Sequence, residues 1–429
     1  MNPPPAEPLR IILDIAAFGL GFVNPAGRCG IYRLIDELLS RSAQLGATEL
    51  ALTATRSPAL SILTEAEIRR THPELLPAWH PSWQATICSN RQLARFARYA
   101  QGASRINPIR WLAVAVWRAG LATARAQRIS GTWDIFHSLS DALPDASRID
   151  ARVGLLTVHD LTPLSHPELH LQVTKDCFSA AVASLRAEHT RVVCVSESTR
   201  RELSRLAEVP PERTSVILLA ADARFRPAPE TEIERVRRRY RLGEGRYFLC
   251  LSSVEPRKNL PATIKAFSRF HQQLAGANGP ADLSLVIAGP TGWMSGTFEQ
   301  ELSAAKAPIV RPGFIADEDL PALYSGCHAF VYLSLAEGFG LPPLEAMACG
   351  APVLTSNTTS LPEVVGDAGL MIDPLDQEAM VTALHQLLDD QLTDRLRARA
   401  RERARRFSWE TFTREHRDLY QELNASSRR

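Results

Sequence analysis

The chain has 429 residues, of which 49 are Lys or Arg and 47 are Asp or Glu, so its formal net charge is +2. A single hydrophobic core stops growing at about 250–300 residues, so this length predicts two or more domains. The nearly balanced charge gives no reason to expect nucleic acid as a partner.

The cysteines and the apolar runs predict a cytoplasmic protein. The seven cysteines stand singly, with no Cys-x-x-Cys pair, which favours reduced and buried thiols over disulfides or a zinc site. The start "MNPPPAEPLRIILDI" places prolines and an acid before a short apolar run that Asp14 interrupts, so it makes a poor signal peptide. Because no apolar run approaches the roughly 18 residues of a membrane span, we expect a chain that is soluble or attached to a membrane only at its surface.

Short apolar runs alternate with helical periodicity along both halves of the chain, which predicts an α/β fold with parallel, doubly wound sheets. The predicted strands are "RIILDI", "WDIFHS", "VGLLTVHD", "RVVCVS" and "SVILL" in the first half and "YFLCLSS", "LSLVIAG", "AFVYLSL", "PVLTS" and "LMIDP" in the second. We predict two Rossmann-like domains, at 1–222 and 247–405, that face a central cleft. A polar linker at 223–246 joins them, and a helix at 406–429 ends the chain. Ligands of such sheets bind beyond the carboxyl ends of the strands, so functional residues are expected there.

The segment "NPAGRCGIYRLIDELLSR" follows the first predicted strand. Gly27 and Gly30 are expected to open a helix whose N-terminal amides reach a diphosphate from the first domain. A pair of glycines also fits a simple tight turn, so this motif is informative only together with the others.

Residues 91–128 contain eight arginines, no acidic residues, and aromatic residues that include Trp111 and Trp117. Basic and aromatic side chains on one helix are typical of contact with an anionic membrane surface or with a lipid-linked ligand. Two ordinary domain helices with solvated arginines fit the segment equally well.

The segment "LLTVHDLTPLSHPELH" places His159 at the end of a predicted strand that faces the cleft. Asp160 would either orient His159 or contact a ligand in the cleft. A single His at a strand end is also a common structural hydrogen-bonding group. We interpret His166 and His170 as ordinary loop residues.

The segment "LSSVEPRKNLPATIKAF" places Arg257 and Lys258 between a strand end and a helix. Two cations in this position would neutralise the charge of a diphosphate leaving group. A basic pair in front of a helix is more often solvated surface, but here it lies at a strand end of the same domain as the next motif.

The segment "AEGFGLPPLEAMACG" places Glu337 in a glycine loop after a strand and Glu345 one turn into the following helix, which is predicted to begin near Leu341 and to end before Gly350. Glycines allow a ligand to approach the backbone, and the helix N-terminus suits a phosphate. A carboxylate one turn along accepts hydrogen bonds from paired hydroxyl groups, as in a ribose diol. The pattern predicts a bound nucleotide diphosphate that carries a further group.

These motifs resemble the retaining glycosyltransferases of family 4, which have the GT-B fold. Glu337 and Glu345 match the E-x7-E motif of that family, and residues 313–374 resemble it almost without a break. Lys258 matches the Lys that members carry, whereas Ser253 stands where many members have an Arg. The resemblance implies that Arg257, in this "PRKN" variant of the motif, takes the place of that Arg as the second contact to the diphosphate.

The first half resembles the same family, in particular the members that build bacterial surface polysaccharides from mannose or deoxysugars. "HDLTPLSHPE" matches these members, and Gly30, Ile31 and Arg33 match their "G-I-x-R". The resemblance implies that the helix at 406–429 crosses back onto the N-terminal domain.

The resemblance also implies a role for each candidate residue. Glu345 would bind the nucleotide ribose, Glu337 would lie beside the transferred sugar, and His159 would contact that sugar or support the reacting centre. The predicted catalytic residues are His159, Glu337, Lys258 and Arg257; the donor-binding residues are Glu345, Gly338, Phe339, Gly340, Leu341, Ser253 and Gly30; the acceptor-side residues are Asp160 and Arg33.

The implied reaction is the transfer of a sugar from a nucleotide diphosphate to a hydroxyl group of a glycan or lipid-linked acceptor, with retention of the anomeric configuration. Our best prediction for the donor is GDP-mannose, with UDP and dTDP sugars left open, and the expected location is the cytoplasm or the cytoplasmic face of the inner membrane. Double displacement needs a carboxylate nucleophile close to the anomeric carbon. No residue stands out for that role, so the resemblance favours front-face attack.

We expect no cofactor and no metal ion. The Asp317 and Asp319 pair in "ADEDL" is interpreted as helix initiation rather than as a manganese site. Two other functions remain open: a GT-B epimerase, or a protein that binds a nucleotide sugar without turnover. The match of "HDLTPLSHPE" to transferases argues against the first, and the intact charged residues argue against the second. A phosphorylase is disfavoured because the chain is short and no Lys suggests pyridoxal phosphate.

Overall fold

The computed structural model describes residues 8–23, 30–84, 89–102, 108–276 and 282–427. Gly27, Cys29 and Cys88 lie outside these ranges. In the first half the described strands are β1 (Arg10–Asp14), β2 (Glu49–Thr53), β3 (Trp83–Gln84), β4 (Arg125–Ala126), β5 (Thr132–Ser138), β6 (Asp150–Val158), β7 (Thr190–Cys194) and β8 (Thr214–Val216). The described helices there are α1 (Leu20–Val23), α2 (Gly30–Ser40), α3 (Pro58–Thr71), α4 (Asn90–Gly102), α5 (Pro108–Ala122), α6 (Thr162–Ser165), α7 (Gln172–Ala183) and α8 (Glu197–Ala207).

The second half continues the alternation of helices and strands. Its described strands are β9 (Arg246–Leu251), β10 (Leu283–Ala288), β11 (Ile309–Gly313), β12 (Ala329–Tyr332), β13 (Val353–Ser356) and β14 (Gly369–Ile372). Its described helices are α9 (Glu230–Tyr240), α10 (Leu260–Gly276), α11 (Gly296–Ala304), α12 (Leu320–Ser325), α13 (Leu341–Ala348), α14 (Leu361–Val365), α15 (Gln377–Gln386), α16 (Asp390–Ala404) and α17 (Trp409–Ser426).

Two parallel six-stranded sheets form the framework, with strand orders β2-β1-β5-β6-β7-β8 and β11-β10-β9-β12-β13-β14. In the second sheet the strand order reverses between β9 and β12, and in the first sheet it reverses between β1 and β5. The carboxyl ends of the strands on either side of such a reversal flank the crevice in which doubly wound sheets bind ligands. The predicted pair of Rossmann-like domains is confirmed.

The central strands are buried on both faces, which explains their continuous apolar sequences. Ile11, Ile12 and Leu13 of β1 are fully buried, as are Phe248 and Leu249 of β9. A strand that is covered by helices on both sides needs no alternation of polar and apolar residues.

Each sheet has one strand more than the sequence pattern predicted, and the additional strand lies at an edge. β2 begins with the exposed Glu49, and β11 is only partly buried along its length and contains Arg311 and Pro312. An edge strand has one free side, so it tolerates charged residues and Pro and lacks the apolar run by which the central strands were recognised.

The segment predicted as a linker contains α9, which is tied to the start of α12. Asp319 lies at the N-cap position of α12, but its fully buried carboxylate accepts hydrogen bonds from Arg235 at 2.7 Å, Arg239 at 2.7 Å and the Tyr240 hydroxyl at 2.8 Å. Asp319 therefore occupies the predicted position at the start of the helix, but its carboxylate bonds to α9 and makes no cap to the helix amides.

The last helix, α17, packs on the N-terminal sheet. The Tyr420 hydroxyl lies 2.7 Å from Nδ1 of His137 on β5, and Nε2 of the same His lies 2.8 Å from the Thr157 hydroxyl on β6. His137, His416 and Tyr420 are fully buried or nearly so. The first described strand, β1, and the last described helix, α17, therefore lie on the same domain.

Of the described cysteines, Cys194, Cys250, Cys327 and Cys349 are buried, as predicted, whereas Cys177 is only partly buried. Within the described ranges no helix combines the length and the apolar character that crossing a membrane requires. Residues 91–128 contain α4 and α5, with Leu93 and Ala94 buried and Arg91 and Arg95 exposed. Contact of this segment with a membrane stays a prediction.

Candidate active site

A cleft of about 590 Å³ lies between the domains at the carboxyl ends of the strands. All thirteen residues predicted from the sequence line this one cleft, although their individual roles remain predictions. They are Gly30, Arg33, His159, Asp160, Ser253, Arg257, Lys258, Glu337, Gly338, Phe339, Gly340, Leu341 and Glu345.

The two charged motifs of the C-terminal domain meet because β9 and β12 are neighbours. Arg257 and Lys258 lie in a 3₁₀ turn (Pro256–Lys258) that follows β9, and Glu337 lies in the loop that follows β12. Helix α13 begins at Leu341, as predicted. Its N-cap residue Gly340 has φ 114°, a conformation that favours glycine.

Glu337 is the centre of a buried ion network. Its Oε1 accepts hydrogen bonds from Lys258 Nζ at 2.6 Å and from the Tyr332 hydroxyl at 2.9 Å. Its Oε2 accepts one from Arg257 at 2.6 Å, and the same guanidinium donates to Glu255 at 2.8 Å. Two cations are thus held between two carboxylates, as buried charges require.

The network fixes the protonation state of Glu337. Burial opposes ionisation of this carboxyl group, but the charges of Arg257 and Lys258 outweigh burial and lower its pKa to about 2. The pKa of Lys258 is lowered, first by burial and then by the neighbouring Arg257. Glu337 is therefore ionised at all ordinary pH values.

Glu345 is bonded to both domains. One carboxylate oxygen accepts a hydrogen bond from Arg33 of α2, and the other accepts one from the Tyr324 hydroxyl of α12 at 3.0 Å. Burial raises the pKa of Glu345 and Arg33 opposes that shift, while the pKa of Arg33 is raised mainly by Glu345. Arg33 also lies 3.5 Å from Asp317. Arg33, which was predicted on the acceptor side, is thus bonded to Glu345, the residue predicted to bind the ribose.

His159 is held by the backbone of its own domain. Its Nε2 lies 2.7 Å from the carbonyl oxygen of Leu139. Since a carbonyl only accepts, Nε2 carries the proton and Nδ1 is left as an acceptor. Burial lowers the pKa of His159, which keeps the ring neutral.

Asp160 does not orient His159. The hydrogen bonds described for its carboxylate come from the backbone amide of Thr162 at 3.1 Å and the Thr162 hydroxyl at 2.9 Å, and they lie at the start of α6. Of the two roles predicted for Asp160, contact with an acceptor is the one that these contacts leave open.

The glycine loop is pressed against the N-terminal domain. A Cβ atom added to Gly338 would lie 1.7 Å from the carbonyl oxygen of His159. The carbonyl of Gly338 also accepts hydrogen bonds from Ser196 at 2.6 Å and Thr199 at 3.2 Å. The cleft is therefore bounded by a direct backbone contact between the domains.

A second contact between the domains lies beside the glycine loop. The Glu363 carboxylate of α14 accepts hydrogen bonds from the amides of Glu197 at 2.8 Å and Ser198 at 2.6 Å, at the N-terminus of α8. A negative charge at that position is favourable because the first amides of a helix lack partners.

Several residues of the cleft were missed from the sequence. Phe314 is 45% exposed within the cleft and follows β11, the edge strand that the apolar pattern did not predict. Glu255 and Tyr332 lie within recognised motifs, yet their roles as partners of Arg257 and Lys258 depend on contacts that the pattern does not specify. Trp293, on the loop after β10, also lines the cleft.

In the part of the chain that the structure describes, no cluster of three or more His, Cys, Asp or Glu side chains is placed to hold a metal ion. Asp317 lies beside Arg33, and Asp319 is bonded to α9.

Two facing Rossmann-like domains form a GT-B fold, and the cleft between them carries paired cations and two glutamates. Residues 232–407 match the family described as glycosyl transferases group 1. The chain is 35% identical over 292 residues to the O-antigen chain mannosyltransferase B of Escherichia coli, covering 67% of this chain and 74% of that protein. The chain therefore belongs to this glycosyltransferase family, and the resemblance to bacterial mannosyltransferases inferred from the motifs is confirmed.

Two further comparisons agree with this assignment. The chain is 32% identical over 284 residues to the serotype-specific mannosyltransferase WbdA of Escherichia coli, covering 63% of this chain but only 33% of that protein. The crystal structure of Anabaena HepE in complex with UDP and glucose matches with a TM-score of 0.62 and 18% identity, over 94% of this chain and 97% of that one. This structural match supports the GT-B fold.

Proposed function

We propose that this glycosyltransferase moves mannose from GDP-mannose to a hydroxyl group of a glycan or lipid-linked acceptor, with retention and without a metal ion. The observation that carries the proposal is the placement of Arg257 and Lys258 around Glu337 at the reversal of the second sheet. The enzyme would act in the cytoplasm, at the inner face of the membrane where such glycans are assembled. The exposed Arg91 and Arg95 of α4 favour that location.

The donor diphosphate would bind Lys258 and the first turn of α13. An ammonium group has three donors, and the described contacts of Lys258 use two of them, on Tyr332 and Glu337. The third donor is available to a phosphate oxygen. The positive end of the α13 dipole adds to the local potential, although Pro342 and Pro343 carry no N–H and only the amide of Leu341 can donate from the first three residues of the helix. These groups would stabilise the charge that develops on the leaving diphosphate.

The nucleoside would lie between α13 and the loop after β11. A carboxylate has about four acceptor sites, and Arg33 and Tyr324 occupy two of those on Glu345. Two remain for a ribose diol, so binding needs no rupture of the contact between the domains. The exposed ring of Phe314 offers an apolar face to the base.

The transferred sugar would lie between Glu337 and His159. Nδ1 of His159 is an acceptor for a sugar hydroxyl, and Glu337 accepts from another. A carboxylate whose pKa is about 2, and which accepts bonds from three side chains, is a weak nucleophile and a weak base. This supports front-face attack, in which the acceptor oxygen bonds to the anomeric carbon while the phosphate leaves and takes the acceptor proton.

The test is a thermal-shift panel with GDP, UDP, dTDP and ADP, each with and without EDTA, followed by incubation with GDP-mannose and a mannoside acceptor. We expect stabilisation by GDP that EDTA does not remove, and a product with the α-anomeric proton signal of the donor. Stabilisation by a different nucleotide would instead indicate a sugar of that nucleotide as the donor. Stabilisation without transfer would instead support a binding protein, and an epimerised nucleotide sugar would support the epimerase.

A further inference from the structure

The loop that leads to Trp293 is paired with the strand end that leads to the cation pair. The loop Gly289–Gly292 after β10 runs beside the chain from Ser252 to Val254, where Val254 exchanges backbone hydrogen bonds with Pro290 at 3.0 Å and Gly292 at 3.1 Å. A Cβ atom on Gly289 would lie 2.0 Å from the carbonyl oxygen of Ser252, so only glycine permits this approach. The loop that leads to Trp293 is thus paired with Val254, two residues before the turn (Pro256–Lys258) that carries Arg257 and Lys258.

The same indole reaches across the cleft to the N-terminal domain. Its Nε1–H donates to the carbonyl of Leu169 at 3.1 Å, and its ring centroid lies 6.2 Å from that of His170. Trp293 also lines the cleft, in which Asp160 and His159 lie on the facing wall. An aromatic face is therefore presented at the seam where the two domains meet.

One ring nitrogen of His170 is unsatisfied in the described structure. Its Nε2 is buried and has no hydrogen-bond partner among the described residues. Burial and then the charge of Arg257 lower the pKa of His170, whereas Asp160 raises it. A neutral imidazole with an unsatisfied nitrogen is costly unless a bound group completes it.

The residue after Trp293 is unusual in its backbone and its exposure. Met294 has φ 54°, the left-handed region that a side chain of its size seldom adopts, and it is 55% exposed. Leu171, which follows His170, is also exposed. Strained backbone persists where the surrounding structure imposes it, which is frequent at ligand sites.

We propose that Trp293 and His170 form the subsite for a pyranose ring of the acceptor glycan. The ring would stack its C–H face on the indole. A hydroxyl group would bond to Nε2 of His170, which lies behind the indole and outside the lining of the cleft, once that imidazole turns towards the bound ring. The proposed donor groups, Lys258 and Glu345, belong to the C-terminal domain, and under the proposed function the acceptor would approach from the N-terminal side, where the Trp293 indole is bonded to Leu169. This inference rests on the proposed function, and it replaces the interpretation of His170 as an ordinary loop residue.

The indole has two separable features, its face and its N–H group. Trp293→Phe keeps an aromatic face and removes the hydrogen bond to Leu169, whereas Trp293→Leu removes both. Trp83→Leu is the matched control, because the Trp83 indole also donates to a carbonyl, that of Thr55 at 3.0 Å, but does not line the cleft. His170→Phe keeps a ring and removes the nitrogen.

The experiment measures binding of methyl α-mannopyranoside by saturation-transfer NMR in the presence of saturating GDP, with GDP affinity measured separately. We expect Trp293→Leu and His170→Phe to weaken glycoside binding about tenfold or more, with GDP affinity within about twofold of the parent. Trp293→Phe should retain most of the binding, and Trp83→Leu all of it.

Two outcomes would overturn the subsite directly: no glycoside binding by the parent protein, or binding by Trp293→Leu that equals that of the parent. A third would be an equal loss of binding in Trp293→Phe and Trp293→Leu, because the indole would then serve only as a hydrogen-bonded contact between the domains. The measurement needs no turnover. Failure of the proposed function would appear separately, as absence of nucleotide stabilisation or of mannosyl transfer in the unmodified protein.

Discussion

Gly338→Ala should prevent the domains from closing while both remain folded. The added Cβ would lie 1.7 Å from the carbonyl oxygen of His159, and a real Cβ essentially never comes within 3.0 Å of such an atom. The φ angle of Gly338 is not positive, so alanine introduces no backbone strain of its own. The clash is with backbone in the other domain, so it is relieved only by separating the two walls of the cleft, by more than 1 Å at this point. A misplacement of about 1 Å costs about 10²-fold in rate.

Under the proposed function, the assay compares kcat for mannosyl transfer with GDP affinity and thermal stability. We expect kcat to fall about 10²-fold and GDP affinity to change less than about threefold, because Lys258 and Glu345 stay in place. Gly296→Ala is the control, since a Cβ at this exposed glycine, also in the C-terminal domain, meets nothing within 4 Å. A Gly338→Ala enzyme with a kcat within twofold of the parent would refute the argument that this contact sets the geometry of the cleft.

Three other predictions concern single side chains. Lys258→Ala should lower kcat about 10²-fold and weaken GDP binding much less, because Lys258 would act on the developing charge of the leaving group; equal losses in both would reduce it to a binding contact. Glu345→Gln should weaken GDP binding about tenfold by removing the charge of the proposed ribose ligand, and calorimetry that finds unchanged affinity would contradict the assignment. Burial lowers the pKa of His416 to about 4, whereas the unfolded chain binds this proton near pH 6.5, so stability should fall by about 3 kcal/mol as the pH drops from about 6.5 to 4. The melting temperature, measured by thermal melts across that range, should therefore fall more steeply with decreasing pH in the parent than in His416→Gln.

The fold was predictable from the sequence wherever a strand is buried on both sides. Apolar runs identify such strands because both faces are packed against helices and most of their residues are therefore apolar, as in β9 and β12. β2 and β11 escaped the pattern because an edge strand is partly solvated and accepts Glu49 or Pro312. Their absence from the prediction did not alter the fold class, since the central strands determine the alternation with helices.

The positions of the site residues were predictable for a different reason. Parallel strands end at the same edge of a sheet, so motifs that follow successive strands converge without any knowledge of the tertiary contacts. The partners of those residues were not predictable, because they come from distant parts of the chain. Arg33 and Glu345 are 312 positions apart, and Gly338 meets the backbone of His159. No local periodicity encodes such a pair, and Trp293 was missed for the same reason.

The ion network links donor binding to the position of Glu337. In the described structure Lys258 and Arg257 are neutralised by Glu337 and Glu255, so the buried charges balance. A donor diphosphate brings further negative charge to the same cations and competes with Glu337 for them. Each hydrogen bond that a phosphate takes from Lys258 weakens the hold on Oε1 of Glu337, and that oxygen then gains capacity for a hydroxyl group of the transferred sugar. Under the proposed function, the sugar contact at Glu337 would thus be completed only when the diphosphate is already in place.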